Sequence, residues 1–388
     1  MRVLITVVGK RTEHWTELFA ALCERPDIEL TLAVADVSAG TLPELSRLAA
    51  RYPGLRHHVV PYLIGEDRTG HMASVVFRPG ALRRLLPRPP QVVHIIGEAG
   101  YLSTRQVLNL RRRWPSVPVT LYAAQNLVMR FPPPFPWLER RAFRAVDHVL
   151  PITPAALRVI RAKGYRGPAT IVPLGVDTDL FRPAVRPPAR RRFTAGFVGR
   201  FEANKGLPTL LAAAERIDCD VLLVGDGSLR EQIAAAAARR PGRITVHGWA
   251  GHAELPSLLH RMDALVLPSV ELMQRNVLPW IGIRWQEQFG RVLVEAMACG
   301  VPVVGSDQGE IPHVVGDAGH IFPAGDAAAL ARRLAALRDD PAAAARMAGR
   351  GVHRAATEFS WRHIAEGMSE VWHGLIAQPV PAEREVML

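Results

Sequence analysis

Trp285-Gln-Glu-Gln-Phe-Gly-Arg-Val-Leu-Val-Glu-Ala-Met-Ala-Cys-Gly-Val-Pro-Val-Val-Gly-Ser-Asp307 reads as a loop, a helix and a strand without interruption, and the rest of the chain can be placed around it. Gly290 closes the loop, Arg291 to Cys299 are good helix formers, and Gly300 followed by Pro302 supplies the stop. Val301 to Gly305 is apolar and rich in β-branched residues, the pattern of a strand buried on both faces. Glu295 departs from this pattern. Helical spacing puts it on one stripe with Val292, Ala296 and Cys299, so a carboxylate is expected to look inward. An ionised carboxylate only accepts hydrogen bonds, and unpaired burial costs on the order of several kcal/mol, so donors are expected opposite it. A vicinal diol such as a ribose supplies two. Glu287, in the loop leading to the same helix, reaches a second set of hydroxyls. Between the two carboxylates, the backbone N–H groups of Arg291 and Val292 open a helix behind Phe289-Gly290 and offer an anion site. Taken singly, either Glu is more simply explained as a solvated helix-face residue; two of them flanking a glycine-opened helix point to a ligand.

Apolar strand-like runs alternate with helix-like stretches along the whole chain, which predicts α/β architecture with parallel sheets covered on both faces. In the first half the runs are Arg2–Val8, Glu29–Ala35, Arg56–Pro61, Gln91–Ile96, Val117–Ala123, His148–Ile152 and Ala169–Leu174. The Pro- and Arg-rich Ala184–Arg192 reads as a linker. The pattern then repeats with Phe193–Val198, Asp220–Val224, Ile244–Gly248, Ala264–Ser269 and a strand around His320–Phe322, followed by helices over Ala327–Arg338, Pro341–Ala355 and Trp361–Ile376. The expected architecture is two doubly wound Rossmann-like domains facing across a cleft, residues 1–185 and 186–358, with 359–388 forming a last helix and tail that cross back to the first domain. Ser228 and Glu231 are spaced as a capping box for the Ala-rich helix after the Gly225-Asp-Gly227 turn.

The 388 residues carry a net charge of +12, mainly in Arg clusters such as Arg111–Arg113, Arg140-Arg141 with Arg144, and Arg190–Arg192. None is long and none is interleaved with aromatics, so a solvated surface accounts for them better than a nucleic-acid platform; weak peripheral contact with an anionic membrane stays open. Cys23, Cys219 and Cys299 are far apart and form no CxxC pair, which argues against a disulfide framework or zinc site and for a reducing, cytoplasmic setting. Met1–Gly9 reads as a first strand, with no signal-peptide pattern, and no apolar run approaches the roughly 20 residues of a membrane span.

In the second half, Arg200 and Lys205 share the loop Gly199-Arg-Phe-Glu-Ala-Asn-Lys-Gly206 above a helix that opens at Pro208, an arrangement suited to a diphosphate. It is not a Walker loop, because no Gly-Lys-Ser/Thr is present. Gly225 and Gly227 either let a nucleotide approach the backbone or simply make a tight turn.

Glu287 and Glu295 with seven residues between them, Phe289-Gly290, and Glu295-Ala-Met-Ala-Cys-Gly-Val-Pro-Val resemble the donor-site signature of the family 4 glycosyltransferases of GT-B fold. Gly199-Arg200 followed by Lys205-Gly206 is similar to that family's diphosphate clamp. The resemblance is specific in the second half and looser in the first. It implies transfer of a sugar from a nucleotide-diphosphate sugar, with UDP as the expected nucleotide, to an acceptor hydroxyl with retention of configuration and with no cofactor or metal. It implies that Glu295 holds the ribose, that Glu287 and the Phe289-Gly290 amides hold the sugar, and that Arg200 and Lys205 take the diphosphate. Arg291 and Val292 complete that set, with His247 and Gly248 near the base.

On the acceptor side the chain departs from the family. Gly9 stands alone where relatives usually carry two glycines, with Lys10, Arg11 and His14 following as phosphate or acceptor contacts or as plain loop polarity. His94 takes the architectural histidine's place, and Glu98 is nearer the presumed cleft. Gln125 and Asn126 stand where members often place a histidine; an amide binds a sugar hydroxyl but is no proton-transferring base. Phe131–Trp137 either walls the acceptor pocket or packs on the next helix, and Val270–Gln286, longer than the usual connection and holding Trp280 and Trp285, forms a lid or partner surface or an aromatic packing unit. The acceptor is expected to be a small molecule or natural product, with a lipid-linked or polysaccharide acceptor as the alternative. A nucleotide-sugar epimerase or phosphorylase on the same scaffold, and a non-catalytic basic binding protein, are the competing classes.

Overall fold

The computed structural model describes residues 1–66, 72–85, 88–129, 133–184, 192–275 and 282–378. These divide into two compact units, Met1–Pro173 with Ile364–Leu388, and Leu174–His363.

The first unit is built on six parallel strands: β1 (Arg2–Val8), β2 (Glu29–Ala35), β3 (Leu55–Val59), β6 (Val92–Ile96), β7 (Val119–Ala123) and β8 (His148–Pro151). They lie in the order β3-β2-β1-β6-β7-β8, with Ile5 opposite both Leu32 and His94. A small antiparallel pair, β4 (Tyr62–Ile64) and β5 (Val76–Phe77), lies beside it. The strands inside the sheet are apolar on both faces because helices cover both, and Leu4, Ile5, Leu32, Leu121 and Val149 are fully buried, whereas edge strand β3 carries Arg56, His57 and His58. The final helix, Trp361–Ala377, brings Trp372 into this core.

The second unit repeats the plan with β9 (Thr194–Val198), β10 (Asp220–Val224), β11 (Ile244–Gly248), β12 (Ala264–Leu267), β15 (Val303–Ser306) and β16 (Gly319–Phe322), in the order β11-β10-β9-β12-β15-β16. Both sheets are doubly wound. The chain steps outward to one side of the first strand and then resumes on the other, which leaves a switch point between β1 and β6 in the first unit and between β9 and β12 in the second.

Two sequence expectations are corrected. Ala169–Leu174 is not a strand: a bridge joins Ala169 to Val149, and the Thr170 and Val172 N–H groups donate to the Val149 and Pro151 carbonyls at 3.2 and 2.9 Å, but Pro151 has no N–H to complete the next pair of the ladder. Ser228 and Glu231 make no capping box, since the helix Arg230–Arg239 opens at Leu229 without a side-chain cap, and Ser228 Oγ donates instead to Glu202 at 2.6 Å. The segment read as a lid, a partner surface or an aromatic packing unit contains a hairpin, β13 (Leu272–Arg275) with β14 (Gly282–Trp285), paired from Leu272 opposite Trp285 to Arg275 opposite Gly282, which agrees with any of the three. Trp280 lies outside the described residues, as do most of the expected linker, Phe131-Pro132 and the end of the tail. Nor is every Arg of the basic clusters solvated: Arg111 is buried and paired with Asp147.

Candidate active site

In the second unit the loops leaving β9 and β12 flank the switch point, and glycine fixes how closely they meet. Gly206 is left-handed at φ 65°, and a Cβ there would stand 1.8 Å from the Pro268 carbonyl oxygen, so only glycine lets the Lys205 loop lie on the end of β12. Val270 N–H donates to the Asn204 carbonyl at 2.9 Å and ties the same two loops. Lys205 thereby points at Glu287: its Nζ lies 2.6 Å from Oε2, and the Ser269 hydroxyl donates to that same oxygen at 2.9 Å. Ser269 is itself held from β15, whose Ser306 hydroxyl donates to its carbonyl at 2.6 Å. Glu310 N–H donates to the Glu287 carbonyl at 3.1 Å. A cation and an anion from opposite walls of the switch point thus neutralise each other where both side chains are largely buried, 14% and 9% exposed.

Gly290, at φ 77°, caps the helix Arg291–Ala298, and Phe289 is a core residue packed edge-on against Phe359. Glu295 is buried, as its place on the helix stripe predicts, and the protein itself supplies a donor opposite it. Arg291, one turn earlier, places Nε 3.2 Å from its carboxylate, and the Arg291 guanidinium sits 5.9 Å from the Trp361 ring centroid. The spacing of four was legible in the sequence as a helical ion pair. Val292 is half-buried on the same turn, and Arg200 is exposed on the loop after β9.

Gly199 and Gly225 meet backbone to backbone: a Cβ on Gly225 would come 1.9 Å from the Gly199 carbonyl oxygen, and one on Gly227 would strike the Phe201 backbone. These glycines are needed for loop-on-loop packing whatever else approaches them. His247, on edge strand β11, has Nε2 3.3 Å from Glu254.

The acceptor-side residues lie in the first unit. Gly9 ends β1 at φ 92° and His14 is exposed in the following 3-10 turn. Gln125 is buried, Asn126 half-buried, and the Gln125 side chain accepts from Lys163, which is also paired with Glu139 at 2.5 Å. Glu98, which the sequence left without a role, accepts the backbone N–H groups of Ala124 at 2.8 Å and Gln125 at 3.0 Å. Burial pushes its carboxyl up to about 7, against the pull of those two N–H groups and of Lys163. His94 is fully buried and pushed down to about 3 by the lack of water around it, an architectural position in β6.

Residues 192–340 match the model of a family described as glycosyl transferases group 1. The alpha-maltose-1-phosphate synthase of Mycobacterium tuberculosis is 31% identical over 274 residues, which cover 62% of this chain and 66% of that relative, just under two thirds of its length. Among solved structures, the sucrose-phosphate synthase of Thermosynechococcus elongatus superposes with a TM-score of 0.73 at 20% identity, covering 97% of this chain and 99% of that one. Anabaena HepE, solved in complex with UDP, gives 0.72 at 17% identity over 96% and 99%. At such identities the structural likeness speaks for the fold, that of GT-B glycosyltransferases. Residues 192–340, which supply Lys205, Glu287 and Glu295, are thus the part of the chain that is similar to the glycosyl transferases group 1 family.

Proposed function

We propose that this protein is a retaining glycosyltransferase of family 4 that moves a sugar from a nucleotide-diphosphate sugar, with UDP the expected nucleotide, to a small acceptor. The observation that carries this reading is the meeting of Lys205 with Glu287 at the β9/β12 switch point of the region similar to the group 1 family. As the glycosidic bond breaks, negative charge grows on the departing diphosphate. Lys205, Arg200 and the amides behind Gly290 are the groups to stabilise it, in a site whose low water content strengthens each contact. Glu287 is left to accept from sugar hydroxyls, and Glu295 from the ribose. The acceptor then attacks from the face the leaving group vacates, its proton passing to the diphosphate, a scheme that asks for no protein base and so suits the amides at Gln125 and Asn126. Among the described residues no helix is long and apolar enough to cross a membrane. The free thiols of Cys23, Cys219 and Cys299 suit a cytoplasmic location.

A panel of UDP-, GDP- and ADP-sugars tests this through thermal shift and slow hydrolysis. A matching donor at a hundredfold over its Kd should stabilise the protein by about 2.7 kcal/mol. No shift and no hydrolysis with any of them at millimolar concentration would refute the reading.

A further inference from the structure

The hairpin β13–β14 does more than extend the loop before Glu287. Glu271 receives an ion pair from Arg284, 3.0 Å from Nε, and a hydrogen bond from Gln286 Nε2 at 2.9 Å. It thus holds the residues on both sides of Trp285 to one face of the hairpin. Side chains alternate along a strand, so Trp285 is sent to the opposite face. There its ring centroid lies 4.9 Å from Lys205 Nζ. Lys205 is consequently held by two residues of one short stretch, the carboxylate of Glu287 and the indole of Trp285.

We propose that Trp285 is a positioning residue for the donor's diphosphate, its indole face keeping the Lys205 ammonium in place while that ammonium exchanges Glu287 for the phosphates. The inference rests on the reading of this site as a nucleotide-sugar site. A lysine on a four-carbon stem with Glu287 as its sole holder would follow whichever anion bound it more strongly. An aromatic face attracts the cation without carrying net charge, so it holds Lys205 in both states and does not repel the incoming diphosphate as a second carboxylate would. Release of Lys205 from Glu287 frees the carboxylate for the sugar, so diphosphate and sugar are recognised together. The hairpin is thereby a working part of the donor site.

The test is calorimetric titration with UDP, GDP and ADP and with the corresponding monophosphates, on wild type, Trp285→Leu, Trp285→Phe, Lys205→Met and the Trp285→Leu/Lys205→Met double variant. Loss of the ring is expected to weaken the preferred diphosphate about fivefold and the monophosphate by less than about twofold, with phenylalanine restoring most of the loss. In the Lys205→Met background the Trp285→Leu change should have no further effect. The unchanged monophosphate affinity reports that each variant is folded. An equal loss for monophosphate and diphosphate, or a Trp285→Leu penalty that persists without Lys205, would overturn the role of Trp285 while leaving the donor site standing. Failure of every nucleotide to bind wild-type protein would instead bring down the donor reading, and this inference with it.

Discussion

Lys205 and Glu287 are worth more together than either is alone, because each is the other's compensation for lost water. Removing Glu287 as alanine leaves a largely buried ammonium without its carboxylate, and the expected cost is roughly 3 kcal/mol in denaturant unfolding. Glu287→Gln keeps an oxygen for the Ser269 hydroxyl and should cost only about 1 kcal/mol. Both should lose at least about a hundredfold in turnover, so a stable but inactive glutamine variant separates chemistry from folding. Glu295→Ala should weaken nucleotide binding about tenfold with the fold intact, and unchanged affinity by calorimetry would remove Glu295 from the site. Glu98 makes a pH-dependent contribution. Its carboxyl titrates near 7 in the fold against 4.5 for an ordinary glutamate, so the folded state holds the proton more tightly. That contribution is full below about pH 4.5 and is lost as pH rises through about 7. Melting temperatures compared with Glu98→Gln from pH 4.5 to 8 should show wild type losing ground toward the alkaline end; parallel curves would deny Glu98 the role. The inward acid at 295 was legible from helical spacing. Its arginine partner, equally legible one turn away, escaped because the donors were sought in a ligand. Glu98 escaped for another reason: its partners are backbone amides of Ala124 and Gln125, and these carry no signature in a sequence.

Elements were read best where burial on both faces writes a continuous apolar run. Arg2–Val8 and Glu29–Ala35 form over the stretches read from sequence, while strands such as β12 and β15 differ by a residue or two at their ends. The hairpin β13–β14 was missed since its strands are short and joined through a segment without an Asn-Gly or Asp-Gly turn. Ser228 misled because a capping box is a local pattern, and a nonlocal partner, Glu202 on the neighbouring loop, won the hydroxyl. The loop geometry makes its own prediction. Gly206→Ala meets both a left-handed φ and the Pro268 carbonyl, so the loop must move and take Lys205 with it. The expected result is a loss of about 2 kcal/mol in stability together with weakened diphosphate binding, measured by unfolding and titration on the same variant. An alanine variant with wild-type diphosphate affinity would show that the loop does not position Lys205.

At the scale of the whole molecule, the chain leaves the first unit at Pro173, builds the second from Leu174 to His363, and resumes the first at Ile364 within its last helix. The first unit therefore needs the helix Trp361–Ala377, and Trp372 is the residue of that helix seated deepest in it. It is fully buried, and its Nε1 donates to the Thr120 hydroxyl at 3.2 Å. That same hydroxyl lies 2.7 Å from His94 Nδ1, so the indole, the hydroxyl and the imidazole meet in one buried cluster. Sequence alone could show an amphipathic last helix; it could not show that one indole would join a cluster on two strands of a sheet formed some 250 residues earlier, a separation of 252 from Thr120. Trp372→Ala opens a cavity and should cost the first unit about 4 kcal/mol. Trp372→Phe fills most of the volume but leaves the Thr120 oxygen without its donor, and should cost about 1.5 kcal/mol. Unfolding followed by far-ultraviolet circular dichroism measures the loss, and nucleotide binding, read in parallel, reports the second unit. A first transition shifted to lower denaturant while nucleotide binding persists is the expected outcome. Simultaneous loss of both would mean that the two units fold as one cooperative body, and an unshifted transition would mean that the last helix contributes nothing to the first unit's stability.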